Sequence, residues 1–449
     1  MVKSTPATAY RATPVREVFD LQGATVYGGA GPLVDFALDG WNLGVRLEEA
    51  LGDLKAPNAT YSAGFDATLL SLMRPLGFIR PQDFGGVAHD PYLADKLGVE
   101  RLPDPSSINR SLHRFEGEDA REALRSVVRD AAESRLLLGD EPPYSILDVD
   151  SSVEVVYGEH VEGASKGYNP RARGRKSYHP LIFTEGCRDL VLGAWLRQGR
   201  VGDSHDLLGY LEETVSWLER NGRPVRYFRA DRGFQGEKTF AFLEVREIGY
   251  AMKIKTTARM RRAWDGLEYT PISNEGDVEE IEALELSYRA TTWKRSRRVV
   301  VVRRRLRDPD ELWLPGCGWR IECVVTNLDW SPEDVWRFYN RRCQAENLIK
   351  ELKEGYGIDQ ISTGSFGAND ADLVLKVLSY NLVRLFQCQV LPAKWSRLRI
   401  RTLRTCLLRI AGRLVHHARR LTLRLASWFP NQEEFRAIRE RLAHLLAET

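Results

Sequence analysis

Apolar and polar residues alternate along two stretches of the chain that carry aspartate. Residues 144–157 alternate and are rich in β-branched side chains, which predicts a strand, a tight bend and a second strand. Residues 189–196 predict a third strand, and Val225–Ala230 predict a fourth that ends at Asp231. Asp148 and Asp150 are two residues apart, so both side chains point to one side of the first predicted strand.

Residues 334–353 follow the 3.6-residue period of a helix. Steps of three, four and seven residues place Tyr339, Arg342, Glu346 and Lys353 on one face of a single predicted helix. An adjacent face of the same helix is apolar and can pack on a sheet.

Helical periodicity also appears at residues 207–221 and from about residue 235 to 248. The predicted order is therefore three strands, a helix, a fourth strand and a second helix. Carboxylates at strand ends in α/β sheets tend to line the crevice where ligands bind.

Each acidic residue has an ordinary structural interpretation when taken alone. Glu and Lys at helical spacing commonly form weak, solvated ion pairs. An Asp shortly before a Gly, as at Asp231, is a common choice for a turn or a helix cap. The combination of strand aspartates with a helical Glu among basic and aromatic partners instead suits metal-binding carboxylates beside a phosphate chain.

The region before this pattern is predicted to be helical. Residues 35–54, 65–74 and 106–114 predict helices, and Pro75 is expected to end the second. No particular helix-turn-helix can be identified among them.

Residues 256–322 become β-rich, with alternation at 281–293 and 298–307 and a further strand predicted at 319–327. Tryptophans 293, 313 and 319 fall in or beside these strands. They are candidates for stacking on nucleobases, although packing is the commoner fate of a single tryptophan.

The distribution of charge is more informative than the formal net charge of +3. Residues 373–432 contain no acidic residue, and basic residues recur among leucines, which predicts one or two basic amphipathic helices. The basic residues are Lys376, Arg384, Lys394, Arg397, Arg399, Arg401, Arg404, Arg409, Arg413, Arg419, Arg420 and Arg424. Such a segment suits either a membrane surface or a DNA backbone, and the phosphate-binding pattern above favours DNA.

Several classes of protein are disfavoured by the composition. The six cysteines are scattered without a Cys-x-x-Cys pair, which argues against disulfides and structural zinc. No run of 18 apolar residues and no signal-peptide pattern occurs, so we expect a cytoplasmic protein without a membrane partner.

The spacing Tyr339-x2-Arg342-x3-Glu346-x6-Lys353 resembles the signature of bacterial insertion-sequence transposases of the DDE type. The predicted element order resembles the ribonuclease-H-like core of polynucleotidyl transferases. That resemblance implies a catalytic and metal-binding triad of Asp150, Asp231 and Glu346. Asp150 is favoured over Asp148 because the first acid of related sequences is followed by Ser or Thr.

The resemblance extends beyond these acids, with one departure. Residues 163–180, with Gly-Tyr-Asn-Pro and Ser-Tyr-His-Pro, and residues 90–116 resemble the transposase DDE domain group 1. The usual Ser-Gly-Phe after the second acid is replaced by Arg232-Gly-Phe, which adds charge near the site. The implied DNA-binding residues are Tyr339, Arg342, Lys353, Lys350, Arg171, Arg173, Arg175, Lys176, Arg232 and Trp319.

The resemblance predicts an α/β protein with five regions. These are a helical DNA-end-binding region (1–135), a first core part (140–255), a β-rich insertion (256–322), a second core part (323–385) and a basic helical region for DNA contact or dimerisation (386–449).

The function that the resemblance implies is DNA transposition. The enzyme would bind terminal inverted repeats, cleave them with two Mg²⁺ ions (Mn²⁺ being possible), form a hairpin and join 3′ ends to target DNA. It would work as a homodimer on paired ends. The alternatives are a metal-dependent nuclease without strand transfer and a catalytically silent DNA-binding descendant of a transposase. A glycosidase with paired carboxylates is a remote further alternative, because the surrounding positive charge suits an anionic polymer.

Overall fold

The computed structural model describes residues 16–56, 58–139, 142–167, 169, 172–202, 204–272, 279–306, 318–417 and 420–448. Arg171, Trp313 and Arg419, which were singled out above, lie outside these residues.

The N-terminal part of the chain is helical, as the sequence predicts. A short strand, β1 (Ala24–Thr25), precedes six helices. They are α1 (Gly31–Asp35), α2 (Leu43–Leu51), α3 (Ala63–Leu76), α4 (Pro91–Lys96), α5 (Pro105–Arg114) and α6 (Glu118–Leu136). The expectation that Pro75 ends its helix is wrong: α3 includes Pro75 and ends one residue later, where Gly77 adopts a left-handed conformation that glycine tolerates.

The middle of the chain forms two sheets and the helices that cover them. The strands are β2 (Ser145–Ser151), β3 (Glu154–Val155), β4 (Ser165–Lys166), β5 (Lys176–Tyr178), β6 (Leu181–Glu185), β7 (Leu190–Trp195), β8 (Val225–Ala230), β9 (Gly249–Ile254), β10 (Thr270–Pro271), β11 (Glu279–Tyr288), β12 (Arg297–Leu306) and β13 (Arg320–Thr326). The helices are α7 (Leu207–Arg220), α8 (Glu237–Val245), α9 (Ala258–Trp264), α10 (Pro332–Asn340), α11 (Cys343–Tyr356) and α12 (Phe366–Gln389).

Nine strands form one sheet in the order β10-β11-β12-β13-β9-β8-β2-β6-β7. Strands β2, β8 and β9 are parallel, and β6 and β7 continue from β2 as antiparallel strands. The third, second, first, fourth and fifth core strands therefore lie side by side in that order. This is the strand order of a ribonuclease-H-like core, and the predicted fold class is confirmed.

One strand of this core was assigned wrongly from the sequence. The second strand is β6, whereas residues 152–157 leave the main sheet and β3 joins β4 and β5 in a small separate sheet. Strand β6 is buried along its whole length, so it lacks the alternation of apolar and polar residues that marks a half-exposed strand.

The β-rich segment after β9 extends the same sheet. Strand β13 pairs with β9 in antiparallel fashion, and β12 and β11 follow outward. Val299 and Val301 pack on the side of the sheet that α7 and α8 cover, whereas Val300 and Val302 pack with α10. The prediction of β structure here is confirmed, and the strands are hydrogen-bonded to the core.

The C-terminal part contains a hairpin that the sequence interpretation missed. After α13 (Ile400–Leu403) come β14 (Gly412–His417) and β15 (Arg420–Leu425), and the chain ends in α14 (Gln432–Glu448). The prediction of basic amphipathic helices is therefore wrong for residues 412–417 and 420–425. Leucines and arginines alternate there with the period of two that favours a strand.

The N- and C-terminal parts join in one helical body around α12. Strand β14 pairs with β1, and Arg404 donates hydrogen bonds to the carbonyl oxygens of Pro75 and Arg74 over 2.7 and 2.9 Å. Arg404 is thus a structural residue, although it belongs to the basic run predicted to face DNA.

Candidate active site

The first two candidate acids lie side by side on adjacent parallel strands. Val149 on β2 is in register with Ala230 on β8, so Asp150 and Asp231 follow at neighbouring positions. Asp231 comes directly after the last residue of β8, and its side chain makes no hydrogen bond or ion pair with the residues that the structure describes. Both acids lie at the carboxyl ends of their strands, as the sequence predicts.

Asp148, the alternative first acid, is already engaged. Its Oδ1 and Oδ2 each accept a hydrogen bond of 2.6 Å from Arg229, from Nε and Nη2 respectively. Both side chains are buried. By contrast, the Asp150 side chain is one-fifth exposed. The geometry therefore favours Asp150 as the residue that can take a further ligand.

The signature residues do not lie on one continuous helix. Helix α10 ends at Asn340 and α11 begins at Cys343, so the helical conformation is interrupted at Arg341 and Arg342. The prediction of a single helix is wrong at this point. The break places Tyr339 at the end of one helix and Glu346 in the first turn of the next, where the helix dipole favours a negative charge.

Arg342 bridges two of the candidate acids. Its Nη2 lies 2.8 Å from Oδ2 of Asp150, and its Nη1 lies 2.7 Å from Oε1 of Glu346. Burial opposes the charge of this guanidinium, but the adjacent Asp150 and other negative groups raise the pKa of Arg342 above its ordinary value. Tyr339 is also buried, which raises the pKa of its hydroxyl, so the phenol stays protonated at neutral pH.

The three acids act on one another electrostatically. Burial raises the pKa of Asp150 to about 6, Arg342 and the backbone amide of Ser151 oppose the rise, and Asp231 and Glu346 add to it. A set of carboxylates that repel one another suits a divalent cation with hard oxygen ligands. The donor set therefore fits Mg²⁺ or Mn²⁺, although the described residues contain no cluster of three such groups already gathered at ligand spacing.

Lys353 belongs to a different environment from the other signature residues. It lies three turns into α11, where its charge acts on Glu154, a residue that sequence reasoning did not select. Glu154 is buried at the start of β3, and both of its carboxylate oxygens lack a hydrogen-bond partner among the described residues. Burial raises its pKa to about 8, against the opposing charges of Lys376 and Lys353.

We expect Glu154→Gln to have a larger free energy of unfolding than the unaltered protein, by an amount that grows as the pH rises. The folded-state pKa of about 8 lies above the ordinary glutamate pKa of 4.5, so ionisation in the unfolded state removes stability as the pH rises between these values. Each unit of difference corresponds to about 1.4 kcal/mol, so we expect the variant to gain about 2–4 kcal/mol at pH 9 and less than about 1 kcal/mol at pH 5. Urea unfolding followed by tryptophan fluorescence at pH 5, 7 and 9 measures this.

Glu185→Gln is the matched control for that measurement. Glu185 is equally buried, but its carboxylate accepts hydrogen bonds from the backbone amides of Ile146, Cys187 and Arg188. Burial also raises the pKa of Glu185, but its carboxylate lies 3.3 Å from the buried guanidinium of Arg188, so loss of this ion pair and of the amide contacts should destabilise the protein. A stability gain for Glu154→Gln that does not change with pH would contradict the assignment of a buried carboxyl that resists ionisation.

The remaining predicted DNA-binding residues lie at different places. Arg173, Arg175 and Arg232 are exposed, and Arg175 lies over the ring of Tyr157 at 6.0 Å. Lys176 donates to the carbonyl oxygen of Glu159. Lys350 is exposed on α11 and lies 3.8 Å from Glu354.

Trp293 and Trp319, the two candidates for base stacking among the described residues, both contact other side chains. Trp293 is buried against Phe240. Trp319 is half-buried, and the guanidinium groups of Arg303 and Arg305 each lie 4.4 Å from its ring centroid. A base could stack on Trp293 only after rearrangement, whereas Trp319 already carries two guanidinium groups against its ring.

The fold and the acidic site define a ribonuclease-H-like protein whose three carboxylates lie on two strands and a later helix. Residues 27–447 match the family described as transposase DDE domain group 1. The chain belongs to this family. Comparison with curated proteins gave no match.

A solved structure gives a more distant likeness. The cryo-EM structure of a piggyBac transposase synaptic complex with hairpin DNA matches over 94% of this chain and 87% of that chain. The TM-score is 0.42 and the sequence identity is 10%. Within the described residues, no helix is both long and apolar enough to cross a membrane.

Proposed function

We propose that this protein is a transposase that cleaves the terminal inverted repeats of its element and joins the freed 3′ ends to target DNA. The observation that carries the proposal is that Arg342 bridges Asp150 and Glu346 at the carboxyl ends of central strands of a ribonuclease-H-like sheet, where Asp231 follows the strand paired with that of Asp150. Family membership supports the same class of reaction.

Each acid has a role in this proposal. Asp150 would hold two divalent ions, and Asp231 and Glu346 would each hold one. When bound, such ions neutralise charge at the phosphorus and lower the pKa of an attacking water. The side chain of Glu346 is 61% exposed, and among the described residues its carboxylate is bonded only to Arg342, so it can turn towards the strand acids.

The basic and aromatic residues would hold the DNA strand that is cut. Once Asp150 and Glu346 turn to metal ions, Arg342 would be released to present two N–H groups to phosphate oxygens in a planar fork. Tyr339, which stays protonated, can donate a hydrogen bond from the same side. Water would attack the phosphodiester and release a 3′-oxygen, which takes up a proton. The resulting 3′-hydroxyl would attack the opposite strand and form a hairpin, displacing the 3′-oxygen of the flanking DNA, which takes up a proton. A second water would open the hairpin and restore the 3′-hydroxyl, which would then attack the target.

The C-terminal hairpin offers a second contact with DNA. Arg413 on β14 is directly opposite Arg424 on β15, and His417 is opposite Arg420, so these side chains share one face. The three arginines are exposed, whereas the other face carries the buried Leu414. Like charges placed directly opposite each other are unfavourable unless an anion lies between them, which supports a phosphate backbone as the partner.

We expect Arg413→Gln/Arg424→Gln to weaken binding to the element's ends and to flatten its salt dependence. Each phosphate contact that is lost should reduce the slope of log K against log salt by about 0.9, so the pair should reduce it by about 2. Fluorescence anisotropy between 50 and 300 mM salt measures the slope. Arg220→Gln/Arg246→Gln removes equal charge from α7 and its neighbourhood and should leave the slope unchanged. Equal slopes for all three proteins would remove the hairpin from the DNA interface.

Strand joining separates a transposase from a nuclease. The protein is incubated with pre-cut ends carrying a 3′-hydroxyl, a supercoiled target plasmid and Mg²⁺. We expect joined products in which paired ends enter the target together, and we expect the active species to be a homodimer by mass photometry. Cleavage of intact ends without any joining of pre-cut ends would reduce the proposal to a nuclease.

A further inference from the structure

A buried ion pair lies where the three elements of the candidate active site meet. Asp148 is on β2 two residues before Asp150, and Arg229 is on β8 two residues before Asp231. The two side chains are 1% exposed and are joined by two hydrogen bonds of 2.6 Å. The pair therefore adds a rigid side-chain link to the backbone pairing of the two strands next to the acids.

The same guanidinium also reaches the third element. Nη1 of Arg229 donates to the carbonyl oxygen of Phe338 over 3.0 Å, and the group lies 5.0 Å from the centroid of the Phe338 ring. Phe338 is in the last turn of α10, where helix carbonyls lack partners within the helix. It immediately precedes Tyr339, so one side chain connects both acid-bearing strands to the signature.

A glycine leaves room for this pair. A Cβ placed on Gly186 would lie 2.5 Å from Nη2 of Arg229 and 2.8 Å from Oδ2 of Asp148. These atoms belong to buried, doubly hydrogen-bonded groups that cannot easily move. Position 186, at the turn between β6 and β7, therefore admits no side chain unless the pair shifts.

We propose that Arg229 and Asp148 are positioning residues that set the spacing of Asp150, Asp231 and Tyr339. A buried ion pair is a poor source of stability, since an apolar pair of similar volume is often as stable. The guanidinium of Arg229, which joins β8 to β2 and α10, does supply a fixed geometry for the residues beside it. The pair acts through the acids and does not itself contact substrate, because Arg229 occupies both oxygens of Asp148. The catalytic consequence rests on the proposed function.

The first test compares Arg229→Lys with Arg297→Lys. Arg297 is a matched control, because it is also buried, pairs with Glu237 and Glu244, and lies over the ring of Phe240, all away from the acids. Lysine keeps the charge but cannot bridge three elements. We expect Arg229→Lys to lower the end-cleavage rate about 10- to 100-fold with DNA affinity within about threefold, and Arg297→Lys to leave both within about threefold.

A second readout does not depend on cleavage. Mn²⁺ binding, measured by electron paramagnetic resonance without DNA, should weaken about tenfold in Arg229→Lys and stay unchanged in Arg297→Lys. Failure of the unaltered protein to cleave would count against the proposed function. Equal Mn²⁺ affinities for the unaltered protein and Arg229→Lys would count against the positioning role of Arg229 and would leave the proposed function untouched.

Two further variants distinguish a loss of positioning from a loss of folding. Asp148→Leu/Arg229→Met replaces the ions by an apolar pair that can remain folded. Gly186→Ala displaces the pair while keeping both charges. We expect both to fold, as judged by circular dichroism, and to lose cleavage at least tenfold. Full cleavage by the folded Leu/Met protein would show that the pair has only a structural role and would overturn the proposal.

Discussion

Replacing any one of Asp150, Asp231 and Glu346 by Ala is expected to abolish DNA cleavage while leaving binding to the element's ends largely intact. Loss of a group that stabilises the transition state acts on the scale of about 10³-fold in rate. In the proposed function, binding depends mainly on phosphate contacts elsewhere, including the basic hairpin face. Gel assays of end cleavage and anisotropy on the same samples measure the two effects separately.

The substitutions at the three acids differ in how much they are expected to change the stability of the fold. Glu346 is largely exposed, so Glu346→Gln should change the free energy of unfolding by no more than about 0.5 kcal/mol. Removal of Asp150 leaves the buried Arg342 without one of its partners, so Asp150→Asn is the better variant there. Cleavage lost with a folded Asp148→Asn protein but kept with Asp150→Asn would move the first acid by two residues.

Replacing Arg342 by Lys is expected to impair hairpin formation and strand joining about 10- to 100-fold, and initial nicking less. Lysine keeps the charge, but its single ammonium group cannot present the planar fork with which Arg342 contacts Asp150 and Glu346. If the same fork grips the phosphates of a distorted end, the steps that need the distorted end suffer most. Quantifying nicked, hairpin and joined products from one reaction gives the ratio.

Arg341→Lys is the control for that experiment. Arg341 is the neighbouring residue at the same break between helices, but it is exposed. It should behave like the unaltered protein. An equal decrease of nicking, hairpin formation and joining in Arg342→Lys would limit Arg342 to holding the acids in place.

Sequence alone predicted those parts of the fold that have a clear period and a clear end. Strand β8 and helix α7 were found because each carries a regular pattern and stops at a polar residue. Strand β6 was missed because burial on both faces removes the alternation. The break between α10 and α11 was invisible, since a single irregular turn leaves the helical period of the flanking residues intact.

In the candidate site, too, some features follow from local sequence patterns and others depend on contacts between distant residues. The positions of the acids follow from strand ends and helical spacing, which are local properties. The contact between Asp148 and Arg229 joins residues 81 positions apart, and the pairing of β2 with β8 decides it. A usable signal was present, because each residue lies two positions before a candidate acid and so shares its face. Glu154 gave no comparable signal, since its burial depends on helices from distant parts of the chain.

The central claim is that Asp150, Asp231 and Glu346 form a metal-dependent centre that cuts DNA ends. The most direct measurement is incubation of the unaltered protein and of Glu346→Gln with labelled DNA carrying the element's own ends, with Mg²⁺ and with EDTA. The account predicts a nick that exposes a 3′-hydroxyl at the end, only in the unaltered protein and only with Mg²⁺. DNA left intact by the unaltered protein, or cut equally by Glu346→Gln, would contradict it.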